Sequence, residues 1–290
     1  MAPFPVSSCD HVTTPQAVAV AAMVANDLIF RRITATEEYD ACVRMQHEIW
    51  GETFTEVVPT TILRVAQRIG GVTAGAFDAA GRLMGFVFGM TGTQEGSLVH
   101  WSDLLAVHPD ARDKGIGRNL KLYQRELLLP LGIRTMFWTY DPLVAKNAYL
   151  NIVKLGARPV EYVVDMYGAN TQSALHGSLG TDRFVVAWEL ASGAGAGRAP
   201  LVPAADTSDS GGPPPIVNAA RGFPDTAVVR VEIPADVQQV IGDDVETAIE
   251  WRATTRRAFT HYFGRGYRVT GFTHGSPGDV YYYRLALNGA

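Results

Sequence analysis

Leu104-Leu105-Ala106-Val107-His108-Pro109, followed by Arg112-Asp113-Lys114-Gly115-Ile116-Gly117-Arg118, decides how this chain is read. The first run is apolar and ends at a proline. After the second, Ile116, Leu120, Tyr123 and Leu127 recur at helical spacing until Pro130. The order is strand, glycine loop, helix. Glycines at 115 and 117 let the main chain come close to a ligand, and the amides of the loop and first helical turn point outward. Arg112, Lys114 and Arg118 add positive charge, so the stretch reads as an anion site that a pyrophosphate fits. A P-loop would need its glycines farther apart and a Lys-Ser or Lys-Thr behind the second. A Rossmann fingerprint would start directly at the strand end and carry a third glycine. An ordinary Gly-capped turn with solvated charges is the plain alternative. Two features count against it: the basic residue three positions before Gly115, and a second motif downstream. That motif is Asn147-Ala148-Tyr149-Leu150-Asn151-Ile152-Val153-Lys154-Leu155-Gly156-Ala157, a short helix ended by glycine, with the strand-like Tyr162-Val163-Val164 after it.

On these two motifs the chain resembles the GNAT superfamily of acyl-CoA-dependent N-acyltransferases. That family places Arg or Gln, two residues, Gly, one residue, Gly or Ala between its fourth strand and third helix. It also carries an Asn/Ala-bearing helix ending in Lys-Leu-Gly. The resemblance covers roughly residues 28 to 190. The wider pattern is similar to a branch with Thr181-Asp182-Arg183-Phe184 and a C-terminal Gly266-Tyr267-Arg268-Val269-Thr270-Gly271-Phe272, some members of which are thought to move succinyl groups to amino acids.

Composition sets ordinary bounds. The chain has 290 residues, a net charge of −4, 47% hydrophobic and 19% charged residues, which leaves no basic excess for nucleic acid. Cys9 and Cys42 are too few, and Cys42 too apolar in setting, to imply disulfides. No run spans a membrane. The Ala17–Ala25 stretch lacks the basic residues of a signal peptide, so residues 1–26 read as a floppy extension and the cytoplasm is expected.

The expected class is α/β (α+β): a mixed central sheet with helices on both faces, plus a smaller C-terminal α+β piece. Strands are expected at 28–34, 71–77, 83–90, 98–107, 135–139, 158–167 and 183–190. Helices are expected at 37–50, 59–68, 116 to about 130, and 145–155. Residues 27–190 form the acyl-CoA domain in this reading. Residues 191–225, rich in Gly, Ala, Pro, Ser and Asp, read as a linker. Residues 226–290 then supply strands at 228–233, 267–272 and 280–287 and a helix at 245–263. The helix-Gly-strand order around Gly264-Arg265-Gly266 reads as a half-repeat without a phosphate loop.

The resemblance also implies site roles. The pantetheine of acyl-CoA runs between splayed fourth and fifth strands, held by main chain of Leu105, Ala106 and Val107, with an amide near Leu105 polarising the thioester carbonyl. Arg112, Asp113, Lys114, Gly115, Ile116, Gly117 and Arg118 cradle the phosphates, with Asn147 and Asn151 as further cofactor contacts. The general base falls on Asp103, four residues before Val107. A carboxylate in an apolar strand is informative in itself, because burial raises its pKa; a bulge residue bonded to main chain is the plain alternative. His100 is the fallback base and acceptor-side contact. The thiolate acid departs from the family pattern, since its tyrosine position holds Ile152; Tyr149, one turn earlier, is the substitute, a core tyrosine the alternative, and a water a third. Trp50 and Phe54 are expected as an aromatic acceptor wall, and Arg183 as the partner of an acceptor carboxylate or a structural ion pair.

The expected function is acyl transfer (acetyl or succinyl) from acyl-CoA to a small-molecule amine, with no metal, nucleic acid or membrane partner. A carrier-protein phosphopantetheine donor and a non-catalytic acyl-CoA sensor are the alternatives, and a homodimer is left open. Arg118 and Lys121 tilt the donor towards CoA, which alone offers a 3′-phosphate.

Overall fold

Eight strands form one mixed sheet: β1 (Met23–Ala25), β2 (Leu28–Arg32), β3 (Val72–Phe77), β4 (Leu83–Gln94), β5 (Ser97–Val107), β6 (Thr135–Tyr140), β7 (Arg158–Val163) and β8 (Arg183–Glu189). Their spatial order is β1-β2-β3-β4-β5-β6-β8-β7. Every neighbouring pair is antiparallel except β5 and β6, which run parallel. These positions come from a computed structural model that describes residues 21–168, 179–191, 213–218, 222–275 and 280–287.

Period-two alternation in β4 divides the core. Phe86 and Phe88 join Tyr39, Cys42 and Met45 of α1 (Thr36–Trp50) and Leu63 and Ala66 of α2 (Thr60–Arg68). Val87 faces the other way, towards Ile116, Leu120, Tyr123 and Leu127 of α3 (Ile116–Leu128). The sheet therefore carries helices on both faces, as the pattern predicts. Cys42 is fully buried, and burial pushes its thiol up to about 12, so it packs as a small apolar residue.

Glu38 fixes the entry into α1. Its carboxylate accepts from the main-chain amides of Thr34 (3.0 Å) and Ala35 (3.2 Å) and from the Arg31 guanidinium at 2.6 and 3.1 Å. The Arg31 bond leads in holding its pKa down to about 2. A depressed carboxylate pKa stabilises the fold above the ordinary glutamate value and stops doing so as pH falls through the folded one. Glu38→Gln should therefore cost about 1.5–3 kcal/mol at neutral pH, the range for hydrogen bonds to a charged group. The difference should vanish near pH 2, read by denaturant melts at both pH values; a gap unchanged in acid would refute it.

Several sequence boundaries move. The extension ends sooner than residue 26, because Met23–Ala25 pairs with Leu28–Phe30 around an Asn26-Asp27 turn at φ 53 and 60. That dipeptide is a tight-hairpin signal; residues 1–20, with Cys9, lie outside the described residues. The β4–β5 hairpin runs past Met90 to a turn at Glu95-Gly96. The expected 145–155 helix is α4 (Ala145–Ala148) followed by a π-helical turn, Tyr149–Lys154.

Beyond residue 212 the chain builds a second sheet, β10-β11-β9, from β9 (Val228–Pro234), β10 (Tyr267–His274) and β11 (Val280–Leu287). Two helices join them: α5 (Val237–Asp243), which the sequence pattern does not announce, and α6 (Val245–Gly264). Asp236 and Asp244 cap their N-termini through side-chain bonds to main-chain amides. Part of the expected linker is held: Ile216 bridges Arg230, with Pro215 and Val217 exchanging main-chain bonds with Arg230.

This second unit shares one continuous core with the first. Phe184 packs on Phe259, Phe263 and Tyr283 at ring distances of 4.7 to 5.4 Å. Arg256 grips both oxygens of Asp182 at 2.6 and 2.9 Å, while Tyr162 donates a short bond to the same carboxylate. Burial alone would raise the Asp182 pKa; these donors outweigh it and leave it lowered. Arg252 reaches Asp141 at 2.5 Å, and the Tyr283 hydroxyl donates to the Pro142 carbonyl at 2.8 Å. Among the described residues no helix is long and apolar enough to cross a membrane.

Candidate active site

The β5–β6 ladder is short. It joins Val99 to Thr135, His100 to Met136 and Trp101 to Phe137, and then stops. From Ser102 and Trp138 onward the two strands diverge, leaving a fork between them. On its other edge, β5 pairs Leu104 with Phe88 and Ser102 with Gly89, so Asp103 is the extra residue of a β-bulge. A bulge bends its strand and re-aims a side chain. At the open end of the fork, β5 runs through Pro109–Ala111 into the glycine loop and α3.

The loop is shaped as the sequence implies. Gly115 sits at φ 73, the left-handed conformation that glycine adopts without strain, and is the N-cap of α3. No side chain caps that end, and the first turn carries no acid. The amides and the positive end of the helix dipole thus face outward together. Gly117 has a different reason. A Cβ there would meet Leu105 Cδ2 at 3.6 Å and Val107 Cγ2 at 3.9 Å, which is ordinary contact, so protein packing does not require glycine. Its lack of a side chain keeps space open above the amides. Arg112, Asp113 and Lys114 are exposed, Ile116 is buried as the first core residue of α3, and Arg118 is half-buried.

Topology, fork, bulge and loop come together in one arrangement. Residues 21–168 and 179–191 build the mixed sheet with helices on both faces that the sequence leads one to expect. Solved structures match about half of the chain at low identity and low TM-score. NAA60 from Arabidopsis thaliana, solved with acetyl-CoA, is 14% identical with a TM-score of 0.45, matching 56% of this chain and 99% of its own. The NatC complex bound to Gag peptide and CoA is 13% identical, TM-score 0.44, over 56% and 98%. The ribosomal-protein-S18-alanine N-acetyltransferase from Escherichia coli is 15% identical, TM-score 0.43, over 56% and 94%. No family model matches the chain, and no curated protein matches it by sequence.

At the bulge, Asp103 shares the α1–α2 side of the sheet with Trp101, whose side chain hydrogen-bonds it, and with Glu56. It is exposed because the cleft is open, yet protein surrounds the carboxylate on most sides. That desolvation raises its pKa; Trp101 opposes the shift and Glu56 adds to it. Trp50 and Phe54 stack at 5.6 Å in the α1–α2 connection, both half-buried. Leu105 and Val107 lean towards α3, and Ala106 towards α1 and α2.

Other expected residues are placed elsewhere. His100 is fully buried, with Nδ1 3.0 Å from Thr91 Oγ1 and Nε2 3.0 Å from Gln124 Nε2. Burial, then Lys121, pushes its pKa down to about 3, so it is a neutral core group and neither a base nor an acceptor contact. Tyr149 is exposed at 42% while Ile152 is fully buried, so the two do not share a face. The π turn is the reason: it widens the spiral, and Lys154, five residues on, lies over the Tyr149 ring at 5.2 Å. Tyr149 therefore does not share the buried position of Ile152. Asn147 is exposed, but Asn151 is buried and its Oδ1 accepts from the Trp138 indole at 3.1 Å.

Arg183 is 5% exposed, donates to the Asp182 carbonyl at 2.8 Å, lies 3.8 Å from Asp141 and stacks over Tyr167. It is a junction residue, and we assign it no acceptor role. Lys121, expected beside the phosphates, is likewise buried, with Nζ 2.7 Å from Ser102 Oγ.

Two supports have no counterpart in the sequence reading. Asn26 donates to the Lys114 carbonyl at 3.0 Å, tying the β1–β2 turn to the glycine loop. A cleft of about 440 Å³ opens on that flank, lined by Asp27, Asp78, Arg82 and Lys114 among others, on the β2–β4 side of the loop and outside the fork. Lys146 of α4 approaches Asp113 at 3.4 Å, linking the two sides of the fork mouth.

Proposed function

We propose that the protein transfers an acyl group, acetyl or succinyl, from acyl-CoA to the amine of a small molecule. The observation that carries this reading is the fork: two parallel strands part after three rungs and open directly onto an uncapped helix N-terminus. A ligand with an extended polar arm and a pyrophosphate head matches that shape. The arm pairs with unladdered main chain of β5, and the head takes the α3 amides. Acyl-CoA has both parts, and two of the structural neighbours are solved with CoA or acetyl-CoA.

In this mechanism the thioester lies at the bulge, and a main-chain amide near Leu105 polarises its carbonyl. The amine arrives from the α1–α2 side, where Asp103 meets Trp101 and Glu56 and Trp50 and Phe54 supply aromatic surface. Asp103 takes a proton from the ammonium, the amine adds to the carbonyl, and the C–S bond breaks. The amine's remaining proton passes through a water to the thiolate as it leaves. The test is a thiol-release assay with acetyl-, succinyl- and malonyl-CoA across a panel of small amines and amino acids. Release of thiol that depends on amine supports the reading, whereas CoA binding without turnover would mark a sensor.

Asp103→Asn should lower turnover roughly a hundredfold, the usual scale for a general base, and leave CoA affinity nearly unchanged. Because its pKa is raised, activity should fall as pH drops through a value above that of an ordinary aspartate. A mutant as active as wild type across the pH range would remove Asp103 from the mechanism.

A further inference from the structure

Side chains at the first open rung of the fork share one buried amine. Continuing the β5–β6 register past Trp101 and Phe137 would set Ser102 beside Trp138. Lys121, reaching in from α3, touches both side chains. Its Nζ is 2.7 Å from Ser102 Oγ on β5 and 4.0 Å from the centre of the Trp138 ring on β6. The lysine is 2% exposed, and among the described residues no carboxylate pairs with it. An amine buried without an acid is costly, and packing alone would favour an apolar side chain of the same length.

Both contacts are held from behind. Ser102 Oγ donates to Gln124 Oε1 at 2.8 Å, Gln124 meets His100, and His100 meets Thr91 on β4. On the β6 side, the Trp138 indole donates to Asn151 in the π turn and stacks edge-on against Trp188. A polar chain thus crosses from β4 through β5 and α3 to β6, with the Lys121 amine at the point where the strands separate.

We propose that Lys121 is a positioning residue that holds the β5–β6 fork open for the pantetheine arm of acyl-CoA. It bridges the side chains of the two strands at the level where a further rung of main-chain pairing would form, and it anchors each strand by a separate contact. This role rests on the acyl-CoA reading above. It also accounts for Asn151, which serves the site by fixing Trp138 and not by touching the cofactor.

The test compares Lys121→Met with wild type by titration calorimetry, using CoA and 3′-phospho-ADP, together with thermal melts. Methionine keeps the length and removes the amine. The expected result is a tenfold or greater loss of CoA affinity, unchanged affinity for 3′-phospho-ADP, and a Tm equal to or above wild type. Loss confined to the ligand with the arm is something general damage would not produce. Equal loss on both ligands, or CoA affinity within twofold of wild type, overturns the role of Lys121 and leaves the acyl-CoA reading standing. Wild-type protein that binds neither ligand overturns that reading and this inference with it. Should Lys121→Met not fold, Ser102→Ala removes the β5 anchor alone. It should weaken CoA severalfold with 3′-phospho-ADP again unaffected, and no selective loss would end the proposal.

Discussion

A chain ended near Leu190 should be insoluble or inactive. The cut removes the rings of Phe259, Phe263 and Tyr283 from around Phe184 and leaves Phe184 and Tyr140 uncovered. It also removes Arg252 and Arg256, leaving Asp141 with Arg183 at 3.8 Å as its remaining cation and the fully buried Asp182 without an arginine. Breaking one buried pair from one side costs about 3–5 kcal/mol. The loss at Asp182 alone is a large part of the roughly 5–15 kcal/mol that holds a domain together. Soluble yield, gel filtration and the thiol-release assay would read the outcome. A truncated protein that stays monodisperse and fully active would make residues 213–287 an independent module and refute the shared core.

The second large effect is at the glycine loop. Gly117→Trp should abolish CoA binding while the protein stays folded. The backbone at 117 is helical, not left-handed, and a Cβ there meets only side-chain carbons at ordinary distance. The indole must then occupy the space above the α3 amides, where the pyrophosphate is proposed to sit. Circular dichroism establishes folding and calorimetry with CoA measures the loss of binding; unchanged affinity in a folded mutant would sink the phosphate-loop assignment. Gly117→Ala is the matched control, and its affinity should fall much less.

Local signals make most of this fold readable. The strand-loop-helix around Gly115 needs only neighbouring residues to define it, and α1, α2, α3 and α6 follow from apolar spacing. The rest is set by geometry that spacing does not carry. The π turn at Tyr149–Lys154 hides in an unremarkable helical pattern, and it is why counting by three misplaces Tyr149. Asn26-Asp27 is legible as a turn, yet it borders a stretch whose composition reads as a tail. Asp103 stands out as an acid in an apolar strand, while the bulge that aims it appears only once β4 is paired. Lys121 on a helix reads as solvated charge, and nothing nearby in sequence marks its burial. Arg183 has two fates open to it in the sequence, and Asp141, 42 positions away, belongs to the one observed.

The bond from Arg252 to Asp141 joins residues 111 positions apart. A ribosome adding about 5–20 residues per second finishes β6 roughly 5 to 20 seconds before it makes Arg252. Through the latter part of that interval the nascent sheet carries an uncovered aromatic face, and the ion pair of Asp141 is only the longer one with Arg183. Vectorial synthesis therefore leaves the β5–β6 fork waiting on the last elements of the chain, and high contact order makes their docking the slow step.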